Sequence, residues 1–386
     1  MTRFLAALGL SFMVSTAFAA DINVGFLSLD NDPRYAEDHV YARIELYPTG
    51  DALFGAEMGL ADSQMLAAAT GNRFVLDAAR AADTGELVQH VERLAAAGTR
   101  FVILDLPGDS VDQLAAATRE LPITLVNATA PENLLRDRCY PNLVHTGASD
   151  RMSADAMVQY LRAQNWTRVL MLTGSLPRDV LIAESFRQSA ERMRLKIVDE
   201  RTFSLSNNPE NRELNNTLLL TGGTDYDVVF LADSDGEYGR YLPYATQLPR
   251  PVIGTTGLVA TEWHWSLERY GSPQVNSRFA DLTDGRRMAG QDWSTWMAAK
   301  AIATAYAKSR KTDPAEIDAY MRSSKLRIDG SKGVTMNFRE WDGQMRMPLI
   351  LATHNAVIAI PPLNGFEHQL STLDTLGTDE QEHQCL

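Results

Sequence analysis

The chain has 386 residues, 45% hydrophobic and 22% charged, with no low-complexity tract. That composition is ordinary for a globular protein, and the length is too great for one compact core, so two lobes are expected. A net charge of −13 argues against nucleic acid or an anionic membrane surface as the partner.

The N-terminus sets the expected compartment. Arg3 supplies a positive region, Phe4 to Thr16 an apolar core, and Ala17-Phe18-Ala19 a small-x-small cleavage site. That is the pattern of a secretory signal peptide over residues 1–20, with cleavage after Ala19 or Ala20. No Cys stands directly after the cleavage site, which argues against a lipid anchor. No later apolar run reaches the roughly 18 residues that span a bilayer. The expectation is a soluble, exported, periplasmic protein.

Ile22 to Leu29 reads as the first strand. A long polar loop follows and carries Asp30, Asp32, Tyr35, Glu37 and Asp38. It reads either as a solvated excursion or as a ligand-facing or metal-binding loop, and its spacing is not that of a calcium loop. Asp51 opens a helix whose Phe54, Met58, Ala61 and Met65 form one apolar face. Arg73 to Asp77 is a strand. A helix capped by Thr84 runs through Ala97. FVILDL, Phe101 to Leu106, is a continuous apolar run of the kind found in a parallel sheet covered on both faces. Asp109 or Ser110 starts another helix, and Ile123 to Ala128 is another strand. This alternation predicts an α/β doubly wound parallel sheet. Ligands bind beyond the C-terminal strand ends of such sheets. The candidate ligand-binding residues of this lobe are therefore Asp30, Gly108, Asp109, Asn127, Ala128 and Thr129.

Cys139 to Leu161 predicts a strand, a turn and a helix capped by Ser149 or Asp150. It lies between two strand–helix runs, which suggests a hinge between two lobes and a cleft beside it.

The second run begins with Val169 to Gly174, followed by a helix from Pro177 to about Arg194 and a strand from Lys196 to Phe203. A helix is expected over 211–220, a strand over Val228 to Asp233, a helix carrying Tyr238, Tyr241 and Tyr244, and a last parallel strand over Val252 to Gly257. Ser175, Asp233, Glu237, Thr256 and Gly257 are the candidate ligand-binding residues at these strand ends. Asp233, Asp235 and Glu237 can meet a cation or ammonium, or simply compensate a helix dipole. Trp263, His264 and Trp265 can line a pocket with aromatic faces or pack in the core.

The chain then returns. A long helix is expected over Asp292 to Tyr306 and another from Asp313 or Pro314 to Met321. Gly330 to Phe338 and Met345 to Ile360 read as one hairpin about Trp341-Asp342-Gly343. The first lobe is expected to hold 21–148 with about 276–330, and the second 149–275 with about 331–360. Residues 361–386 read as a polar tail without periodicity. Cys139 and Cys385 can form a disulfide in an oxidising compartment, or remain one buried and one tail thiol.

An enzyme is not indicated. Gly174-Ser175 lacks the nucleophile-elbow frame, and no zinc-protease, Walker or dinucleotide motif is present. The seven histidines lack metal-ligand spacing, so neither metal nor cofactor is expected.

Several stretches carry a family resemblance. Ala128-Thr129-Ala130-Pro131-Glu132, then Pro141-Asn142, Ser149-Asp150 and a helix ending in Tyr160-Leu161 resemble the type I periplasmic substrate-binding proteins of ABC transporters, in the Leu/Ile/Val-binding branch. Thr256 through Trp265, Asp329-Gly330-Ser331-Lys332-Gly333 and Leu373-Asp374-Thr375-Leu376-Gly377 are similar to the subgroup found with PQQ-dependent alcohol dehydrogenase systems. The resemblance implies three hinge crossings, a cleft closing on a small solute, an inner-membrane permease partner and a monomer. It implies that Thr129, with Ala128 beside it, holds an amino-acid carboxylate, and that Asp233 to Glu237 offer an acid to the ammonium. One departure stands out. Where the amino-acid binders present serine after the third strand, this chain has Leu106-Pro107-Gly108-Asp109. An acid there repels a carboxylate, which leaves cationic, polyol, aromatic or cofactor-like solutes, or a metal complex.

Overall fold

A computed structural model describes residues 20–35, 40–41, 44–45, 50–69, 71–204 and 212–386. The expected export signal lies outside the described residues except for Ala20, and so do Glu37 and Asp38 of the polar loop.

The first lobe contains β1 (Ala20–Leu29), the short β2 (Val40–Tyr41) and β3 (Ile44–Glu45), α1 (Leu53–Ala68), β4 (Asn72–Ala81), α2 (Thr84–Ala96), β5 (Phe101–Asp105), α3 (Gly108–Ala117), β6 (Thr124–Asn127), α4 (Leu134–Asp137) and β7 (Leu143–His145). Five of these strands form one parallel sheet in the order β4-β1-β5-β6-β7. Every residue of β5 is buried, as its unbroken apolar run predicts for a central strand. Strand β4 outruns the expected Arg73–Asp77 because β1 pairs with it along its whole length, from Ala20↔Asn72 to Leu29↔Ala81.

The buried face of α1 differs from the expected one. Met65 is 85% exposed and Ala61 is exposed, while Gly55, Ala56, Met58, Gly59, Leu60, Ser63 and Ala67 are buried. The reason is close helix packing. A Cβ at Gly55 would lie 2.1 Å from the Asp292 carbonyl oxygen, and one at Gly59 2.7 Å from that of Trp296. Small residues, not large apolar ones, let the two backbones approach. At α2 the cap is Asp83 and not Thr84: the Asp83 carboxylate accepts from Glu86 N at 3.0 Å.

The second lobe contains α5 (Asp150–Ala163), β8 (Arg168–Thr173), α6 (Pro177–Arg192), β9 (Lys196–Thr202), α7 (Arg212–Asn215), α8 (Thr217–Leu220), β10 (Val228–Ala232), α9 (Leu242–Ala245), β11 (Val252–Gly254) and β12 (Val259–Thr261). Its parallel sheet runs β11-β10-β8-β9. The single helix expected over 211–220 is broken in two, because the Asn216 side chain accepts from Leu218 N and Leu219 N and so caps a new helix. The expected tyrosine-bearing helix is a 3-10 turn at Tyr238–Arg240 followed by α9.

The chain then returns through α10 (Ser272–Leu282), α11 (Gly290–Ser309) and α12 (Pro314–Arg322), with α10 and α11 packed on α1. It ends in β13 (Ile328–Asp329), β14 (Thr335–Phe338), β15 (Met345–Arg346), β16 (Ile350–Ala352) and β17 (Val357–Ala359). The expected long hairpin is shorter than predicted. Only β14 and β15 pair across Trp341-Asp342-Gly343, while β16 crosses to β12 and carries β17 with it.

The tail is not a loose end. Asp374 is buried and bonds two arginines, Arg339 at 2.8 Å and Arg346 at 2.8 Å. Gly377 N donates to the buried Asp155 carboxylate of α5 at 2.7 Å. Farther on, Glu382 pairs with Arg151, and a disulfide joins Cys385 to Cys139 with a Cα separation of 5.6 Å. Among the described residues no helix is long and apolar enough to cross a membrane.

Candidate ligand cleft

Three connections join the two halves: after β7, where the chain leaves the first parallel sheet for α5 and β8; between β12 and α10, which packs on α1; and between β15, next to Gln344 and its bridge to His145, and β16, which pairs with β12. These crossings are bonded to one another. Arg136, 3% exposed, donates from Nη1 to the carbonyls of Ala130 and Glu132, from Nη2 to that of Gly147, and from Nε to Gln344 Oε1 at 3.0 Å. The amide of Gln344 also donates to the Gly147 carbonyl at 3.0 Å. Burial pulls the Arg136 guanidinium down to about 10, which leaves it charged at neutral pH. Glu262, just past β12, accepts from Ala148 N at 2.9 Å and so joins the second crossing to the first. The lobes also meet directly where Asn133 donates to Ser185 Oγ at 2.9 Å.

The sheet ends on the first-lobe side carry a compact polar cluster. Asp105, 1% exposed at the end of β5, accepts from Thr129 Oγ1 at 2.9 Å, Tyr35 Oη at 2.9 Å and Arg34 Nη2 at 3.0 Å. Arg34 Nη1 donates to Thr129 Oγ1 at 2.9 Å, and Arg34 is also paired with the buried Asp32. Burial pushes the Asp105 carboxyl up, and Arg34 with the hydroxyl donors pulls it back. The Thr129 hydroxyl, expected to face a ligand carboxylate, is thus bonded to a carboxylate of the chain itself. Asn127 is fully engaged: its Oδ1 accepts from Thr129 N and Ala130 N, and its Nδ2 donates to Ala130 O and to His145 Nδ1. All four of its hydrogen-bonding sites are used within the chain, so it shapes the loop. Ala128 is buried, with its carbonyl against Gly147. Asp30 and Asp109 are exposed, and buried Gly108 lies against the Glu132 carboxylate.

On the second-lobe side, Asp179 near the start of α6 is buried and accepts from Leu176 N at 3.0 Å and Ser234 N at 2.6 Å. It ties the β8 and β10 strand-end loops together. Gly174 has no room for a side chain, since a Cβ there would lie 2.1 Å from the Asp179 carboxylate. Ser175 and Glu237 are exposed, and Thr256 and Gly257 are half-buried beyond β11. Asp233 is buried and accepts from Gly239 N at 2.6 Å, so it organises its own loop. Burial, and then the neighbouring Asp235, push the Asp233 carboxyl up to about 7. A carboxyl raised in the folded state binds more protons there than in the unfolded chain. Its contribution therefore falls as pH rises from about 4 toward about 7 and is level above. Asp233→Asn is expected to flatten the melting temperature across that window, and an unchanged profile would exclude Asp233 as its source.

Arg178 stands over the junction, paired with Asp150 and 4.0 Å from Glu132 of the first lobe. The aromatic trio is structural: Trp263 is buried and donates to Asn276 Oδ1 at 2.8 Å, His264 bonds Ser266 Oγ at 2.7 Å, and the Arg287 guanidinium lies 3.7 Å over the Trp265 ring. A cavity of about 350 Å³ lies beside the ends of β8 and β9, bordered by Thr173, Val180, Arg187, Glu200, Arg201 and Thr202. Its charged groups are paired, Arg187 with Glu200 at 2.9 Å and Arg201 with Asp199, outside the lining, at 2.6 Å, so it offers little free chemistry.

Reading the sequence alone missed Arg34, Asp105, Arg136, Arg178 and Asp179. Asp105 is the one acid within the FVILD strand, which is a signal the sequence did contain.

The architecture is that of the type I periplasmic binding proteins. A periplasmic-binding-protein family model matches residues 58–214. Among solved structures, a Burkholderia mallei periplasmic binding protein is similar at 14% identity, covering 96% of this chain and 99% of that one, with a TM-score of 0.65. An ABC transporter substrate-binding protein from Desulfitobacterium hafniense, in complex with Leu, is similar at 17% identity, 88% and 99% coverage and a TM-score of 0.66. A Rhodopseudomonas palustris ABC transporter solute-binding protein, in complex with benzoate, is similar at 11% identity, 95% and 99% coverage and a TM-score of 0.63. No curated protein matches the chain by sequence.

Proposed function

We propose that this chain is the periplasmic solute-binding component of an ABC transporter, and not an enzyme. It takes a small molecule between lobes formed by 21–148 with about 276–330 and by 149–275 with about 331–360. The observation that carries this reading is the set of three crossings bonded together at Arg136, Gln344 and Glu262 beside two facing sets of strand ends. Such a junction keeps the lobes in register while leaving them free to close, and ligand contacts to both lobes select the closed form. The family match over 58–214 and the solved relatives support the same class. Export to the periplasm rests on the leader-like N-terminus.

The finer assignment, service to a PQQ-dependent alcohol dehydrogenase system, rests on the sequence resemblance of 256–265, 329–333 and 373–377. In that setting the chain serves an inner-membrane permease, as a monomer. The test is a thermal-shift panel on protein beginning at Asp21, with amino acids, alcohols and their acids, PQQ, Ca²⁺ and lanthanide ions. A ligand at 100 times its Kd adds about 2.7 kcal/mol to the folded state, so one class is expected to raise the melting temperature visibly. A folded protein that ignores the whole panel would favour a sensor or assembly partner of the dehydrogenase.

A further inference from the structure

The disulfide that ties the tail to the first lobe has a third group against it. His383 Nε2 lies 3.1 Å from Cys139 Sγ. Its other ring nitrogen, Nδ1, is buried and has no hydrogen-bond partner among the described residues. A covalent staple needs no imidazole, and a sulfur in a disulfide has no proton to offer one. The ring is held at the sulfurs all the same. His383 N donates to the Asp379 carbonyl at 3.0 Å and Leu386 N to the Asp137 carbonyl at 2.8 Å, so backbone bonds flank Cys385 on both sides.

Two sulfurs and one imidazole nitrogen therefore converge, all within 4.8 Å of one another. That is the span of a metal chelate. With Zn–S bonds of about 2.3 Å and tetrahedral angles, two thiolates round one zinc stand about 3.8 Å apart. The cysteine Cα atoms are 5.6 Å apart, and Cys385 is exposed beside the chain end, so the sulfurs can part by that much with little backbone movement. Spacing hides the set in the sequence. His383 and Cys385 are close together, but Cys139 comes from 246 positions before Cys385.

We propose that Cys139, His383 and Cys385 form a redox-gated site for a thiophilic divalent cation of the zinc type. The disulfide is its closed form. A dithiol reductant gives the disulfide two electrons and two protons, becomes a disulfide itself, and leaves two thiols here. The cation then displaces both thiol protons and takes the two sulfurs and His383 Nε2, with water in the fourth position. Two thiolates and an imidazole suit Zn²⁺, whereas Mg²⁺ and Ca²⁺ call for oxygen ligands. The bound cation holds the tail to the first lobe in place of the covalent bond, so its binding adds to folding stability.

The test uses Co²⁺ as a spectroscopic probe and Zn²⁺ as its competitor, on reduced, metal-free wild-type protein under inert gas. One equivalent of Co²⁺ is expected to give a sulfur-to-cobalt charge-transfer band and the intense visible bands of a tetrahedral ion. Zn²⁺ should bleach both, and oxidised protein should show neither. Zn²⁺ should also raise the denaturant midpoint of reduced protein toward that of the oxidised form. His383→Ala is expected to bind Zn²⁺ at least about tenfold more weakly, since even groups behind a metal ligand are worth about 10–100-fold. An oxidised His383→Ala protein that melts like oxidised wild type shows that the fold is kept. Reduced wild type without the charge-transfer band, or with the band but no rise in midpoint, overturns the proposal. So does equal Zn²⁺ affinity in His383→Ala and wild type, because the cysteines alone would then be the site. The band and the midpoint need no variant, so a misfolded His383→Ala does not shelter the idea. None of these measurements involves a solute, so their outcome stands apart from the solute-receptor reading.

Discussion

Asp374→Ala is expected to destabilise the protein by about 3–5 kcal/mol, the usual cost of removing one partner from a buried ion pair. Arg339 and Asp374 are both 0% exposed, with Arg339 Nε 2.8 Å from Asp374 Oδ1. Arg339 also donates to the carbonyls of Leu373 at 3.1 Å and Leu376 at 2.6 Å. Once Asp374 is gone, the nearest remaining carboxylate is Asp342, at 3.5 Å. The guanidinium cannot reach water, because the tail itself covers it. Arg346 loses its carboxylate partner as well, so the β14–β15 hairpin and the tail come loose together. The check is the denaturant midpoint at constant slope. A loss below about 1 kcal/mol would mean that the tail folds back without its ionic anchor. The double change Arg339→Met, Asp374→Leu separates charge from packing. Replacing a buried pair by apolar residues of like volume is often near neutral, so the double variant should recover most of the loss.

That anchor also marks where the sequence stopped being readable. The central strands were legible because FVILD and VVFLA are continuous apolar runs, and covered parallel strands need nothing else. The two-lobed alternation followed from them. The tail was illegible because its support is ionic and distant: Asp374 pairs with residues 35 and 28 positions away, and no periodicity records that. The face of α1 was misread for a related reason. Gly55 and Gly59 carry no hydrophobic signal, yet they lie against α11, while the conspicuous Met65 points to solvent. In the cleft, the strand-end rule pointed to the loops where the polar clusters lie, but to other side chains than those that bond there. It favoured the free-looking acids Asp109 and Glu237, both exposed. The buried Asp105 and Asp179 do the bonding, and a lone acid within or after an apolar run was the available clue. Arg136 gave no clue, because an arginine in a polar stretch reads as surface until its carbonyl partners are seen.

The second large effect concerns the bond between Cys139 and Cys385. Oxidised Cys385→Ser protein is expected to be about 2–4 kcal/mol less stable than oxidised wild type, the typical worth of a native disulfide. The linked cysteines are 246 positions apart, so the bond constrains most of the unfolded chain, and the entropic account places its effect in the upper part of the range. The folded side of the comparison is specific too. The tail lies along the second lobe, where Gly377 N meets Asp155 of α5 and Glu382 meets Arg151. Its last residues then reach the first lobe, where Leu386 N donates to the Asp137 carbonyl at 2.8 Å and Cys385 bonds Cys139 between α4 and β7. The disulfide is therefore a covalent link between lobes in addition to the three crossings, and it limits how far they separate. Reductant should lower the denaturant midpoint of wild type to that of Cys385→Ser and leave the variant unmoved. A reductant effect of equal size on both proteins would assign the loss to something other than this bond. If the midpoints instead converge as expected, small-angle scattering should show the reduced protein more open than the oxidised one, because the hydrogen bonds at Asp137 and Glu382 then hold the tail across the lobes without covalent support.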